Sequence, residues 1–494
     1  MERIALIIPP SVFLADERVF PSLGILKIAA CLEKADYPVS VLDLSGIANY
    51  EDAMIDFCCV TDANIFGLSC TSPQMPSVEK LVKLIREMRP GMRIILGGAH
   101  ITATCSEYRD NQKTGMPSRV KRAFQRISDL GDILVSGDAE ISIFQAISAD
   151  APHIIDGDHL DSPFFLQRGT LDQFPFPSRH LIDMESYHFY INGVRATSLI
   201  GMLGCPYQCT FCGLRLSPSF RVTRTRSTDN ILAEIKHLHG TYGFRGFMFS
   251  DDESNLPGNF VELMNGLADL QEELCVAFVI RGFVKANLFS EQQAQAMKRA
   301  GFKNLLVGFE SGSEQILTNI RKKSTKNQNT QCMEIAHKYG FNIKALMSIG
   351  HAGETDKTIA ETHDWLLNVE PQDFDCTVIC VYPGTPYHSH SVPHPTKKDV
   401  WVYTASTGDK LYSYETDFLA DTSYYKGVPG EYKSHVFTDA LKPEDIVELR
   451  DWIENDVRQK LHIPYCKITP ATRFEHTMGM FGSELPARIL KSAG

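Results

Sequence analysis

Short apolar runs alternate with amphipathic stretches twice along this chain, and that rhythm restricts the fold more than any other feature. In the first series, residues 3–8, 39–44, 65–69, 93–96 and 132–136 read as buried strands, with helical spacing at 23–34 and 77–88. Such alternation predicts a doubly wound parallel sheet covered on both faces, with ligands received at the carboxyl ends of its strands. Residues 148–186 break the rhythm with Pro152, Pro163, Pro175, Pro177, Gly157 and Gly169, the composition of an irregular connector. A second series follows, with strands at 194–202, 246–250, 276–281, 304–309, 342–349 and 376–382, and helices between them. Six strand–helix repeats predict a partial (β/α)6 barrel, complete or three-quarters closed, whose site lies at the strands' carboxyl ends. Beyond residue 393, an aromatic-rich region (Trp401, Tyr403, Tyr412, Tyr414, Tyr424, Tyr425) precedes one amphipathic helix at 443–460. The expected organisation is an α/β domain over 1–146, a connector over 147–190, the barrel over 191–392, and an α-rich extension over 393–494 that caps the barrel and shapes substrate choice.

The chain has 494 residues, more than one hydrophobic core accommodates. Forty-nine basic against 60 acidic residues leave a net charge of −11, which argues against a protein built to coat nucleic-acid phosphates. The basic stretch 113–126 (Lys113, Arg119, Lys121, Arg122, Arg126) reads as the solvated face of a helix rather than an RNA footprint. Its apolar runs are too short to cross a bilayer, and Met1-Glu2-Arg3 passes straight into a strand without a leader. A cytoplasmic protein with no membrane partner is expected.

Thirteen cysteines, an odd number without a leader, point to metal or reactive thiols rather than a disulfide framework. Ten of them, Cys376, Cys380 and Cys466 included, lie singly or in pairs and read as small buried side chains. The other three stand in Gly204-Cys205-Pro206-Tyr207-Gln208-Cys209-Thr210-Phe211-Cys212-Gly213, a C-x-x-x-C-x-x-C loop directly after the first barrel strand. Three thiolates so spaced can wrap one iron–sulfur cube, each on a different iron, and leave the fourth iron open. A structural zinc wants four ligands, and no fourth presents itself nearby; a loop with coincidental thiols is the remaining alternative.

This loop resembles the motif of the radical S-adenosylmethionine (radical SAM) superfamily, and the resemblance extends over residues 194–386. It implies a [4Fe–4S] cluster on Cys205, Cys209 and Cys212, the aromatic Phe211 flanking the last ligand, and S-adenosylmethionine on the open iron. Reductive cleavage would then yield a 5'-deoxyadenosyl radical that acts on a small-molecule substrate, with electrons from a donor such as flavodoxin or ferredoxin. Strand ends match the segments that hold the cofactor in such proteins. Phe249-Ser250-Asp251-Asp252-Glu253 offers Asp251 or Asp252 to the methionine ammonium, although an Asp pair there also suits a helix cap. Arg281 suits the carboxylate, with a surface ion pair as its alternative. Gly308-Phe309-Glu310-Ser311-Gly312-Ser313 brings Glu310 and Ser311, and Gly350-His351-Ala352-Gly353 brings Gly350 and Gly353 near the adenine. His351 reads there as a turn side chain rather than a base. Tyr382-Pro383-Gly384-Thr385-Pro386 closes the sixth strand with the same look.

A doubly wound domain ahead of this barrel resembles the cobalamin-binding subgroup, as do Pro21-Ser22-Leu23-Gly24-Ile25-Leu26 and Phe174-Pro175-Phe176-Pro177-Ser178-Arg179. The resemblance implies a Rossmann-like, cobalamin-binding-type domain with Ser69, Thr71, Gly97, Gly98, Gly137 and Glu140 at the cofactor. One departure stands out: the D-x-H-x-x-G motif of family members that bind cobalamin through a histidine is missing, because residues 9–16 hold no histidine. Cobalamin would then be held without a protein axial ligand, or the domain would be a scaffold. The expected function is cobalamin-dependent methylation of an unactivated carbon. Non-methylating dehydration, cyclisation or oxidation is one alternative, and a tRNA-modifying or non-catalytic iron–sulfur protein is another.

Overall fold

The computed structural model describes residues 2–11, 17–112, 115–256, 258–424 and 432–464. Residues 12–16, which include most of the histidine-free loop, and Lys113, Tyr425 and Cys466 lie outside the described residues.

Strands β1 (Ile4–Ile8), β2 (Val39–Asp43), β3 (Ile65–Ser69), β4 (Arg93–Gly97), β5 (Ile133–Ser136) and β6 (Ile154–Asp156) form one sheet in the order β2-β1-β3-β4-β5-β6, every pair parallel. All five residues of β1 are buried, Ala5 and Ile7 in one core, Ile4, Leu6 and Ile8 in the other. A strand covered on both faces must be apolar throughout, which is why it does not alternate. The strand order reverses between β1 and β3, and there the flanking loops diverge to leave a crevice. The connector expected over 147–190 is not wholly irregular: its β6 completes this sheet, too short at three residues to register as a strand by pattern.

The second sheet begins with a hairpin of β7 (Tyr190–Ile191) and β8 (Val194–Leu199). Two-residue strands β9 (Met202–Leu203) and β10 (Arg224–Thr225) pair across the base of the cysteine loop. Parallel strands β11 (Gly246–Phe249), β12 (Val279–Phe283), β13 (Phe302–Glu310), β14 (Asn342–Ile349) and β15 (Asp373–Val378) then follow β8 in chain order. The order runs unbroken from β7 at one edge to β15 at the other, the topology of a curled half-barrel. Four barrel helices open on Ser227, Ser290, Thr325 and Thr355, each accepting the backbone N–H three residues on. Each such cap contributes about 1 kcal/mol and fixes where the chain turns from strand loop to helix.

The C-terminal extension corrects the α-rich expectation. β16 (Val392–Pro393), β17 (Val400–Thr404), β18 (Lys410–Tyr414) and β19 (Val436–Phe437) form an antiparallel sheet, and the helix Pro443–Leu461 packs against β15. The basic helix Ser118–Ser128 keeps Lys121, Arg122 and Arg126 on an exposed face, as expected, while its other side docks on this sheet. Arg119 is buried with its guanidinium 4.8 Å from the Trp401 ring centre, Arg122 pairs with Glu415 at 3.3 Å and Arg126 with Asp417 at 2.9 Å. Among the described residues no helix is long and apolar enough to cross a membrane.

Candidate functional site

After β8 the chain enters the cysteine loop under close backbone control. Asp251 accepts the N–H groups of Gly201 (2.6 Å) and Met202 (3.0 Å), and Asp252 accepts that of Gly204 (2.8 Å). Gly204 has φ +88°, and a Cβ there would lie 2.4 Å from the Val222 carbonyl oxygen, so only glycine fits. The Cys205 N–H donates to Phe220 O (2.8 Å) and the Thr210 N–H to Ile320 O (3.0 Å). The three thiols thus hang from a loop pinned along its length. Burial pushes the Cys205 thiol up to about 11 and raises that of Cys212 as well. Among the described residues no three His, Cys, Asp or Glu side chains converge on one ion position. A donor set of three thiols spread along one loop suits three corners of a cube, whose fourth corner needs no side chain.

Asp251 and Asp252 therefore hold the loop backbone, and neither caps a helix. Burial pushes the Asp251 carboxyl up to about 7 against those two N–H bonds. The acid that shares its surroundings with Cys205, Lys285, Lys322 and Glu310 is Glu253, whose carboxyl burial raises. The sequence signal for it was the third acid of the triplet, one residue further from the strand.

Glu310 ends β13 at a break in register and takes φ +66°, costly for a residue with a side chain. Its carboxylate accepts from Lys322 Nζ (2.9 Å) and from the Ser348 hydroxyl (2.8 Å). Burial opposes both charges of this pair, yet their attraction holds Glu310 below and Lys322 above the usual ranges. Gly308 makes the room: a Cβ there would meet Glu310 Oε1 at 2.7 Å. The row continues from Ser348 to His351 Nε2 (2.9 Å) and from His351 Nδ1 to the Tyr387 hydroxyl (3.2 Å). Burial lowers His351 to about 4, so it is neutral, and Phe211 meets its ring edge-on at 5.2 Å. His351 opens the turn 351–354, its carbonyl accepting the Glu354 N–H (3.1 Å), and its side chain is an internal link in a hydrogen-bonded row.

Ser311 is turned away from this group. Its hydroxyl bonds Thr362 (3.0 Å) and accepts the Ser313 N–H (3.1 Å), tying the segment to the helix Asp356–Val369. Gly350 and Gly353, with φ +88° and +80°, serve close approaches within the chain, since Cβ atoms there would meet Val436 at 3.1 Å and Asn319 at 2.8 Å. Arg281 lies within β12 and is wholly buried, which overturns its surface ion-pair alternative.

A cavity of about 260 Å³ opens at the carboxyl ends of β1, β3, β4 and β5. Ser69, Gly97, Gly98, Gly137 and Glu140 line it, and Thr71 does not. The Thr71 hydroxyl instead bonds Gln74 (2.9 Å) in a local cap. Gly98 and Gly137, with φ +94° and +87°, are needed by the chain itself: Cβ atoms there would lie 2.7 Å from Cys70 N and 2.6 Å from Asp158 N. The opposite wall comes from the barrel, through Ile200, Leu203, Phe220 and the Arg226–Glu234 pair (2.5 Å). Leucine, isoleucine and valine walls with a glycine rim at the switch point fit a flat corrin or its nucleotide tail. Sequence reasoning missed Lys27, Thr102, Arg226 and Glu234, which stand on helices or beyond the barrel's first strand.

Burial, then the charge of Asp138, pushes the Glu140 carboxyl from 4.5 up to about 7. Folded, it keeps its proton to higher pH than unfolded, so its contribution to stability is greatest in acid and is lost between pH 4.5 and 7. Glu140→Gln is expected to flatten that part of the stability profile. Denaturant melts across this pH window check it, and an unchanged slope would refute it.

Comparisons with known proteins agree with this geometry. The pattern of the Radical SAM superfamily matches residues 199–366, and that of the B12 binding domain matches residues 13–117. An uncharacterized methyltransferase of Pyrococcus horikoshii is 25% identical over 400 residues, covering 78% of this chain and 82% of that protein. An anaerobic magnesium-protoporphyrin IX monomethyl ester cyclase of Rubrivivax gelatinosus is 22% identical over 359 residues, covering 70% of this chain and 62% of the cyclase. Among solved structures, the radical S-adenosylmethionine methyltransferase TsrM from Kitasatospora setae, with cobalamin and a [4Fe-4S] cluster bound, has the same fold. Its TM-score is 0.61 at 15% identity, over 82% of this chain and 81% of that one.

Proposed function

Because this chain joins a B12-binding domain to a radical SAM domain, we propose that it is a cobalamin-dependent methyltransferase acting on an unactivated carbon of a small molecule. The observation that carries the reading is the shared wall: Leu203 and Phe220 line the cavity, while Phe220 also holds the Cys205 N–H. When bound, the cluster with S-adenosylmethionine supplies a deoxyadenosyl radical, and cobalamin supplies a methyl carrier. The chain's own part is to hold and to exclude. Cys205, Cys209 and Cys212 would ligate the cluster, and Asp251 and Asp252 fix the loop that presents them. Lys322 and Glu310 keep charge balanced in a buried site, and Phe211, His351 and Tyr387 close it against water.

Anaerobic reconstitution with iron, sulfide and cobalamin, followed by S-adenosylmethionine and reductant, tests the proposal. Corrin absorbance retained after desalting, with S-adenosylhomocysteine and deoxyadenosine both formed, is the expected result. Deoxyadenosine alone would overturn methylation and favour a hydrogen-abstracting dehydration, cyclisation or oxidation, the reading that similarity to the cyclase supports.

A further inference from the structure

Asp158 lies two residues beyond β6 with its side chain wholly buried. Its Oδ1 accepts the Ser219 N–H (2.9 Å), the Ser219 hydroxyl (2.6 Å) and the Ser217 hydroxyl. Its Oδ2 accepts the Ser106 hydroxyl (2.5 Å) and Arg109 Nη2 (3.0 Å). Ser106 and Arg109 belong to the helix Ala99–Asn111 of the B12-binding domain, whereas Ser217 and Ser219 follow the last cysteine of the cluster loop. One carboxylate therefore collects five donors from both domains, more than a role in holding a single helix requires. Arg109 is already paired with Asp156 at 2.8 Å.

The partners of Asp158 lead to both cofactor sites. Phe220, next to Ser219, receives the Cys205 N–H on its carbonyl and walls the cavity with its side chain. On the other side, Gly137 at the cavity rim packs so tightly on Asp158 that a Cβ would lie 2.6 Å from its nitrogen. We propose that Asp158 is a positioning residue that fixes the exit of the cluster loop against the rim of the B12 cavity, so that occupancy of one site is felt at the other. This rests on the two-site reading given above.

Full-length protein loaded with iron and sulfide is compared as wild type, Asp158→Asn, Asp158→Ala, Ser219→Ala and the Asp158→Ala/Ser219→Ala double variant. The readout is the rate at which a chelator bleaches the cluster, with and without hydroxocobalamin. Asp158→Ala is expected to bleach on the order of tenfold faster, because it strips a charged acceptor from several buried donors. Asp158→Asn, which keeps one acceptor oxygen for Ser217 and Ser219, should fall between. The double variant should bleach no faster than Asp158→Ala, the non-additivity of a direct contact. Hydroxocobalamin should slow bleaching in the wild type and not in Asp158→Ala. Additive losses, or full protection retained in Asp158→Ala, would overturn the proposal. Should the wild type itself bind no hydroxocobalamin, the two-site reading fails, while the Asp158–Ser219 cycle still decides whether Asp158 holds the loop. If Asp158→Ala does not load, the cycle is run with Asp158→Asn and Ser219→Ala.

Discussion

Replacing Lys322 with methionine is expected to lower folding stability by about 3–5 kcal/mol, because it strands the buried Glu310 carboxylate without its counter-charge. The cost should reach the cluster loop. The Lys322 carbonyl receives Lys285 Nζ at 3.3 Å, and the Ile320 carbonyl receives the Thr210 N–H at 3.0 Å. Arg321 and Lys323, on either side of Lys322, take φ of +52° and +58°, so the segment depends on its side-chain anchor to hold an unfavourable backbone. Removing both charges with Lys322→Met/Glu310→Gln should recover most of the loss, since no buried charge is then left unpaired. Urea unfolding of the two variants checks this. A single variant that costs less than about 1 kcal/mol, the scale of an exposed ion pair, would mean the pair is solvated rather than buried.

Changing any one of Cys205, Cys209 or Cys212 to alanine should reduce iron after reconstitution from about four per chain to well under one, as a cube with two remaining thiolates is released. Deoxyadenosine formation should disappear with it. Exposed Cys59 and Cys275 and buried Cys376 and Cys380 give the contrast. Substitution of the exposed pair should change nothing. Alanine at Cys376 or Cys380 should leave iron loading intact at a packing cost of about 1 kcal/mol. Colorimetric iron and sulfide analysis reads both outcomes. Full iron in a Cys209→Ala protein would show that the metal sits elsewhere.

The parallel strands and the cysteine loop were legible because both are local patterns. A run such as Ile4-Ala5-Leu6-Ile7-Ile8 is apolar wherever the sheet places it, and a three-thiol loop is contiguous. Four residues that the motifs single out have partners within the chain itself. Thr71, Ser311, Asp251 and Asp252 have suitable chemistry near the strand ends, and each bonds a group of the chain: Gln74 Oε1 for Thr71, the Ser313 N–H for Ser311, and backbone N–H groups for the two aspartates. Motif spacing does not record which way a side chain turns. Asp158 went unseen because its partners Ser106, Arg109, Ser217 and Ser219 are distant in sequence and lie in both domains, so no periodicity announces it. The antiparallel sheet β16–β19 escaped notice because its aromatic residues read as packing rather than as alternation.

The helix Ala99–Asn111 is fastened on two sides. Ser106 and Arg109 meet Asp158, while Glu107 bonds His388 Nδ1 (2.7 Å) and the Gly384 N–H (3.0 Å), and Asn111 reaches Ser389 (3.1 Å). Chimeras that graft the amino-terminal half of a relative onto this barrel therefore inherit a lock without its key. Such a transplant should succeed only when the donor half brings counterparts of Ser106, Glu107, Arg109 and Asp158 to meet Ser217, Ser219, Gly384 and His388 of this barrel.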